Sequence, residues 1–421
     1  MPKPDLTRGP ESVPLVFDFK PPMTRRSFLR VAATSGLSLI GLDSAIAAPT
    51  RQTRFPLIVL FLSGGVSAKE SFNPDPDILR NGCATPPELR GPLGSIATRT
   101  GNRFSEVFPE LARRSNRFSL IRSLDAGTTD HTPGQQHAIL RGRTTIATQI
   151  GERMADGGVG YVLLNPGSTW NGLREAFREQ DAYAPVWDRQ TSRFTSPPAQ
   201  LTSDEERARL AGRQSLLRTL DQRSTMSDTS QTERLRRFQE TAFDLAQGGG
   251  ALLKATSLDE HERERYGSTL AGDMALMAKQ FVERGAGSAL VYYEPESVTF
   301  DLHSGIERGM RTHGPAIDKA AAALIDDIHR STREYVVYIV GEISRTPRIN
   351  GAAGRDHWRE GNCAILAGGK IKEGVVVGAA DHLGRITDGA VQQRTQLTNT
   401  VLAGCGMTLA ATDTKVTEVL E

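Results

Sequence analysis

The run YVVYIV, residues 335–340, is followed by GEISRTPRIN, residues 341–350, and GRDHW, residues 354–358, and this stretch decides the fold. Tyr335 to Val340 is apolar throughout and rich in β-branched side chains, which predicts a strand covered on both faces. Gly341 ends it and at once presents Glu342, Arg345 and Thr346. Pro347, Asn350, Gly351 and Gly354 supply turns before Arg355-Asp356-His357-Trp358. A second apolar run, Cys363 to Ala367, closes at Gly368 and Gly369 and reads as a shorter strand. In an open α/β sheet, ligands sit beyond the C-terminal ends of the strands, so the polar residues after these runs are the candidates for chemistry.

Working outward, Phe55 to Leu62 is a nearly continuous apolar run ending at Ser63-Gly64-Gly65, the pattern of a buried parallel strand. Phe118 to Leu124, Tyr161 to Leu164 and Ser288 to Tyr293 predict further strands. Helices are expected around Phe104 to Ala112, from Tyr266-Gly267 to Gly285, over Gly314 to Arg333 and over Gln393 to Leu402. Strand, loop, helix and strand alternate as in βαβ units, which places the chain in the α/β class. A stretch rich in Pro, Ser and Thr begins at Trp187, and Asp204 to Leu245 has the composition of exposed helices. A helical insertion at about 187–260 is expected, either bordering a pocket or only completing the fold.

The 421 residues suit one large domain with insertions, or two domains. The balance of 51 basic and 49 acidic residues, without a long basic run, gives no nucleic-acid partner. Cys83, Cys363 and Cys405 cannot all pair within one chain, and the last two stand in apolar surroundings as small core residues. Thr24-Arg25-Arg26-Ser27-Phe28-Leu29 precedes a mildly apolar segment and small residues at Ala47-Ala48, which resembles a twin-arginine signal peptide over residues 1–48. Asp43 interrupts that short segment and opposes a stable membrane span. The expectation is export through the twin-arginine machinery to the periplasm, already folded, with residues 49–421 as the mature domain.

GEISRTPRIN and GRDHW together resemble the paired signature of the DUF1501 family, bacterial proteins placed in the alkaline phosphatase and sulfatase superfamily. Ile343-Ser344 stand where the family usually has Phe-Gly, and Phe300-Asp301-Leu302-His303 corresponds to its Trp-Asp-Thr-His motif. In the first loop, Ala68, Glu70 and Asn73 occupy positions where the family carries histidine, aspartate and aspartate. The resemblance implies a three-layer α/β/α sandwich of alkaline-phosphatase-like type. Counted back from Gly142-Arg143, Thr132 falls where the sulfatases carry their modified cysteine.

The candidate metal ligands are Glu70, His131, His137, Asp301, His303, Glu342, Asp356 and His357. Carboxylates with imidazoles suit one or two divalent ions, zinc, manganese or calcium. Asp356 is either a ligand or the residue that orients His357. Thr132 is either a hydroxyl nucleophile or the N-cap of a helix beginning at Pro133. Arg345 and Arg355 are candidates to bind phosphate or sulfate oxygens, with a loop-pinning salt bridge as the other reading of Arg345. These residues lead to the expectation of a metal-dependent periplasmic hydrolase of phosphate or sulfate esters. The alternative is an exported protein that binds a metal or an anion without catalysis.

Overall fold

The computed structural model describes residues 55–74, 86–142, 144–154, 160–164, 257–295 and 300–421, with scattered positions between 186 and 216. The expected signal peptide, residues 1–48, Cys83 and most of the expected helical insertion lie outside the described residues. Among the described residues, no helix is long and apolar enough to cross a membrane.

An eight-stranded sheet forms the centre. Its strands are β1 (Leu57–Leu62), β2 (Ser119–Asp125), β3 (Tyr161–Leu164), β4 (Ser288–Tyr293), β5 (Val336–Val340), β6 (Asn362–Ala367), β7 (Val376–Val377) and β8 (Val391–Gln392). They lie in the order β7-β2-β6-β5-β1-β4-β3, with β8 also paired to β2. β1 runs parallel to both β4 and β5, and β4 runs parallel to β3. β6 is antiparallel to β5 and to β2. The second apolar run is thus reached through the turn-rich segment 341–361, which holds no helix and returns the chain in the opposite direction.

The continuous apolar runs have a direct cause. Ile58, Leu60 and Leu62 of β1 enter one hydrophobic core, and Leu57, Val59 and Phe61 enter the other. β5 divides the same way, with Val337 and Ile339 on one face and Val336, Tyr338 and Val340 on the other. Alternate side chains point to opposite faces, so a strand between two helical layers must be apolar at every position. One layer contains α1 (Pro109–Arg113), α5 (Leu270–Glu283) and α6 (Ile306–Asp327). The other contains α2 (His131–Ile139), α3 (Ile146–Met154) and α7 (Thr398–Gly404). Helix α4 (Glu260–Tyr266) ends at Gly267, whose φ of 102° turns the chain toward α5. This is the expected three-layer arrangement of sheet and flanking helices.

Three local expectations are corrected. The helix expected around Phe104 to Ala112 is a strand, Arg103–Ser105, paired with Ser95–Ala97, and then the short α1. Pro109 occupies the first turn of α1, where its missing N–H costs no helical bond. Thr132 is not an N-cap, because α2 begins at His131 behind an extended Asp130. Helix α6 begins upstream of Gly314, at Ile306, and runs through Pro315. Cys363 and Cys405 are free and buried, as expected.

Candidate metal centre

The register brings Leu62 beside Tyr293 and Phe61 beside Val340, so β1, β4 and β5 end together at one edge of the sheet. Loops at this edge supply the candidate residues. His131 opens α2 after β2, Asp301 and His303 follow β4, Glu342 follows β5, and His357 precedes β6. Helix α2 is tied to the sheet by two hydrogen bonds. Tyr338 Oη donates to the Ala138 carbonyl at 2.9 Å, and Gln135 Nε2 donates to Tyr292 Oη at 2.8 Å. Gly134 lets α2 approach the loop after β5. A Cβ there would stand 2.9 Å from Ile343 Cγ2 and 3.0 Å from the Glu342 carbonyl.

His131, Asp301 and His357 each offer a ligand atom within 4.8 Å of the others, and this group could hold a metal ion. Asp301 Oδ1 lies 3.4 Å from His131 Nε2 and 3.2 Å from His357 Nε2. His303 joins from the open side, its Nε2 lying 3.0 Å from Asp301 Oδ1 and 3.0 Å from His357 Nε2. Ligand atoms on one tetrahedral zinc ion, bonded at 2.0–2.1 Å, stand about 3.3 Å apart, close to these spacings.

The other ring nitrogens are held from behind. His131 Nδ1 lies 2.9 Å from Glu342 Oε1, which also accepts from the Gly64 N–H at 2.7 Å. His303 Nδ1 lies 2.8 Å from Asp356 Oδ1, and Asn350 Nδ2 donates to that same oxygen at 3.1 Å. A proton on each Nδ1 leaves the Nε2 lone pairs for a cation, the usual carboxylate–histidine–metal relation. Asp356 is therefore in contact with His303, and among the described residues no hydrogen bond joins it to His357.

Charge at the group favours a cation. The Asp301 and Glu342 carboxylates raise His131 to about 9, against burial, so the metal-free ring holds a proton on Nε2 that a cation would displace. Burial pulls the Asp301 carboxyl up, but His131 and Arg345 outweigh it and hold it well below the usual carboxylate range. Burial, then the nearby Arg345 and His131, lower His357 and keep its lone pair available. His131 Nε2 and Glu342 Oε2 are both buried without a hydrogen-bond partner among the described residues. A bound cation would satisfy such orphaned groups, so the residues present fit a divalent metal. Nitrogen-rich ligation suits zinc or manganese better than calcium, which takes oxygen ligands.

The remaining sequence candidates are not members of the three-residue ligand group. Glu70 is fully buried against Arg355, whose Nε and Nη2 donate to its two oxygens at 2.9 and 2.7 Å. Ser67 also donates to Glu70, and Arg355 Nη1 donates to the carbonyls of Thr346 and Pro347. Arg345 is buried too. It donates to the carbonyls of Gly64, Gly65 and Arg355 and to Asp301, so it pins the loops and holds the Asp301 oxygen. His137 Nδ1 lies 2.7 Å from the Ala126 carbonyl, away from the metal group. Thr132 is exposed on the first turn of α2, beside His131 in sequence.

Sequence reasoning missed Gln393. Its buried amide donates to the Glu342 carbonyl at 2.8 Å and accepts from Asn362 Nδ2 at 3.1 Å. Asn362 Nδ2 also donates to the Gly341 carbonyl at 2.9 Å, so two amides fix the backbone that presents Glu342. A glutamine at the start of a helix carries no local mark of such a role.

The fold and the group of ligands define a three-layer α/β protein with a candidate metal centre at one edge of its sheet. The chain belongs to the DUF1501 family, described as "Protein of unknown function (DUF1501)", which matches residues 56–416. No curated protein matches the chain. Among solved structures, a 2-O GAG sulfatase is 7% identical with a TM-score of 0.41, over 86% of this chain and 73% of that one. A protein in the alkaline phosphatase superfamily from Vibrio parahaemolyticus is 12% identical with a TM-score of 0.34, over 93% of this chain and 81% of that one. These likenesses are loose, and no activity or ligand transfers on them.

Proposed function

We propose that the protein is a metal-dependent hydrolase of phosphate or sulfate esters, exported by the twin-arginine route. The observation that carries this reading is the convergence of the Nε2 atoms of His131, His303 and His357 around Asp301 Oδ1. In this reading His131, Asp301, His303 and His357 hold the ion, while Glu342 and Asp356 orient two of the imidazoles. A divalent cation held by these residues would supply Lewis acidity toward an ester oxygen. Thr132 is the proposed nucleophile, exposed on the turn that also carries His131. Its Oγ1 would bond to phosphorus or sulfur as the ester bond breaks. The departing alcohol gains a proton, and water then cleaves the threonine ester. Arg345 holds Asp301 in place and adds positive charge beneath the group.

A second reading, a metal-binding protein without catalysis, is favoured by the first loop. Ala68 offers no ligand there, and Glu70 is committed to Arg355. Metal analysis of the purified protein, followed by a screen of phosphate, phosphonate and sulfate esters, separates the two readings. Turnover that requires the cation, is lost in Thr132→Ala and leaves metal content unchanged supports the covalent hydrolase. Unchanged turnover in that variant removes Thr132 from the mechanism, and bound metal with no turnover on any ester selects the binder. Export is carried by Arg25-Arg26, and replacing both with Lys should retain the protein in the cytoplasm.

A further inference from the structure

Helix α2 carries a second imidazole, His137, about 9 Å along its axis from His131 at 1.5 Å per residue. There a cavity of about 480 Å³ opens between α2, the segment after it and the π-helical turn Gln393–Leu397. It is lined by His137, Arg141, Arg394, Thr395, Asn399 and Asp413 among others, and shares no lining residue with the metal group. Its volume lies in the range that accepts small ligands.

The lining specifies a polar guest. Arg141 Nε donates to Asn399 Oδ1 at 2.8 Å and Nη2 donates to Asp413 Oδ2 at 2.7 Å. Its plane is thereby fixed, and Nη1 has no partner among the described residues. A guanidinium nitrogen held in place in this way donates to an oxyanion with little loss of freedom. Arg394 is exposed, and its guanidinium is paired with no carboxylate among the described residues. With Asp413 offset by Arg141, Arg394 leaves a net positive charge over the opening. His137 donates Nδ1–H to the Ala126 carbonyl, which leaves Nε2 to accept from a hydroxyl. Thr395 adds a further polar group. A π-helical turn is rare and recurs at functional sites.

We infer that this cavity is a binding site, separate from the metal group, for a small hydroxylated anion bearing a phosphate, sulfate or carboxylate group. The test is calorimetric titration of the purified full chain with glucose 6-phosphate, glucose 6-sulfate and gluconate, with glucose as the neutral control. At least one anionic probe should bind at sub-millimolar concentration, and glucose should not; the tightest probe identifies the anionic group. Arg394→Glu should weaken that binding by roughly tenfold or more, because a charge-assisted hydrogen bond becomes a repulsion. His357→Ala should leave it unchanged. A thermal melt of Arg394→Glu, altered at an exposed position, checks that it folds. Failure of every anionic probe to bind, equal binding of glucose, unchanged binding in folded Arg394→Glu, or loss of binding in His357→Ala would each overturn the assignment.

Discussion

His131 Nδ1 lies 2.9 Å from Glu342 Oε1, although 211 residues separate them in the chain. The contact joins the first turn of α2 to the end of β5, and it turns Nε2 of the ring toward Asp301. The candidate metal centre depends on this orientation as much as on the ligands themselves.

Removing a ligand should therefore differ from removing its support. His131→Ala, His357→Ala and Asp301→Asn should each abolish stoichiometric binding of zinc or manganese, measured by competition with a chromophoric chelator. Glu342→Gln should retain binding but weaken it about 10- to 100-fold, the usual effect of losing a hydrogen-bonded carboxylate behind a ligating histidine. Equal affinity in native protein and His357→Ala would show that the imidazoles do not share an ion.

Gly134→Ala should reverse the normal preference of a helix. Alanine inside a helix is ordinarily favoured over glycine by about 0.5–1 kcal/mol. Here the added Cβ meets Ile343 Cγ2 at 2.9 Å and the Glu342 carbonyl at 3.0 Å, so α2 must shift. We expect a loss of about 1–3 kcal/mol in denaturant unfolding, the typical cost of overpacking, together with weaker metal binding. A stabilised variant would mean that the helix moves away freely.

The Glu70–Arg355 pair is fully buried on both sides. Glu70→Gln leaves the guanidinium without its counter-charge and should cost about 3–5 kcal/mol in chemical unfolding. Replacing both residues with Met should recover much of that loss, since no uncompensated charge is left inside. If the double variant is no better than the single one, the pair is needed for the loop geometry itself.

Asp318, on α6, accepts the Glu110 and Leu111 backbone N–H groups at 2.7 and 2.8 Å and so tethers the start of α1. Burial pushes its carboxyl up to about 7, outweighing these two donors. A carboxyl raised in the folded state binds its proton more tightly there than in the unfolded chain. Its contribution to stability is fully present below the ordinary value near 4 and is lost as pH rises toward 7. Denaturation midpoints measured from pH 4 to 8 should fall across this window, and the fall should be shallower in Asp318→Asn. Parallel profiles for the two proteins would exclude Asp318 as its source.

Several elements were legible in the chain itself. Tyr335 to Val340 and Phe55 to Leu62 read as buried strands because apolar side chains at every position serve two cores at once. Asp301, His303, Glu342 and His357 were legible as candidates because each follows or precedes such a run. The fate of Glu70 was not legible, since nothing in Ser67 to Asn73 shows that Arg355, 285 residues onward, takes both of its oxygens. Asp356 adjoins His357 in sequence yet serves His303, because the turn around Asn350 brings the Asp301 loop against it.

The sequence by itself determined the long buried strands of the sheet, the α/β class and the residue types available for a cation, because periodicity and chain-local burial are properties of short segments. Tertiary structure decided which of those residues share a centre. The order β2-β6-β5-β1-β4 sets loops from distant parts of the chain side by side, and so brings His131, Asp301 and His357 together. Contacts between segments hundreds of residues apart depend on sheet order and register, and neither is written in the spacing of neighbouring residues.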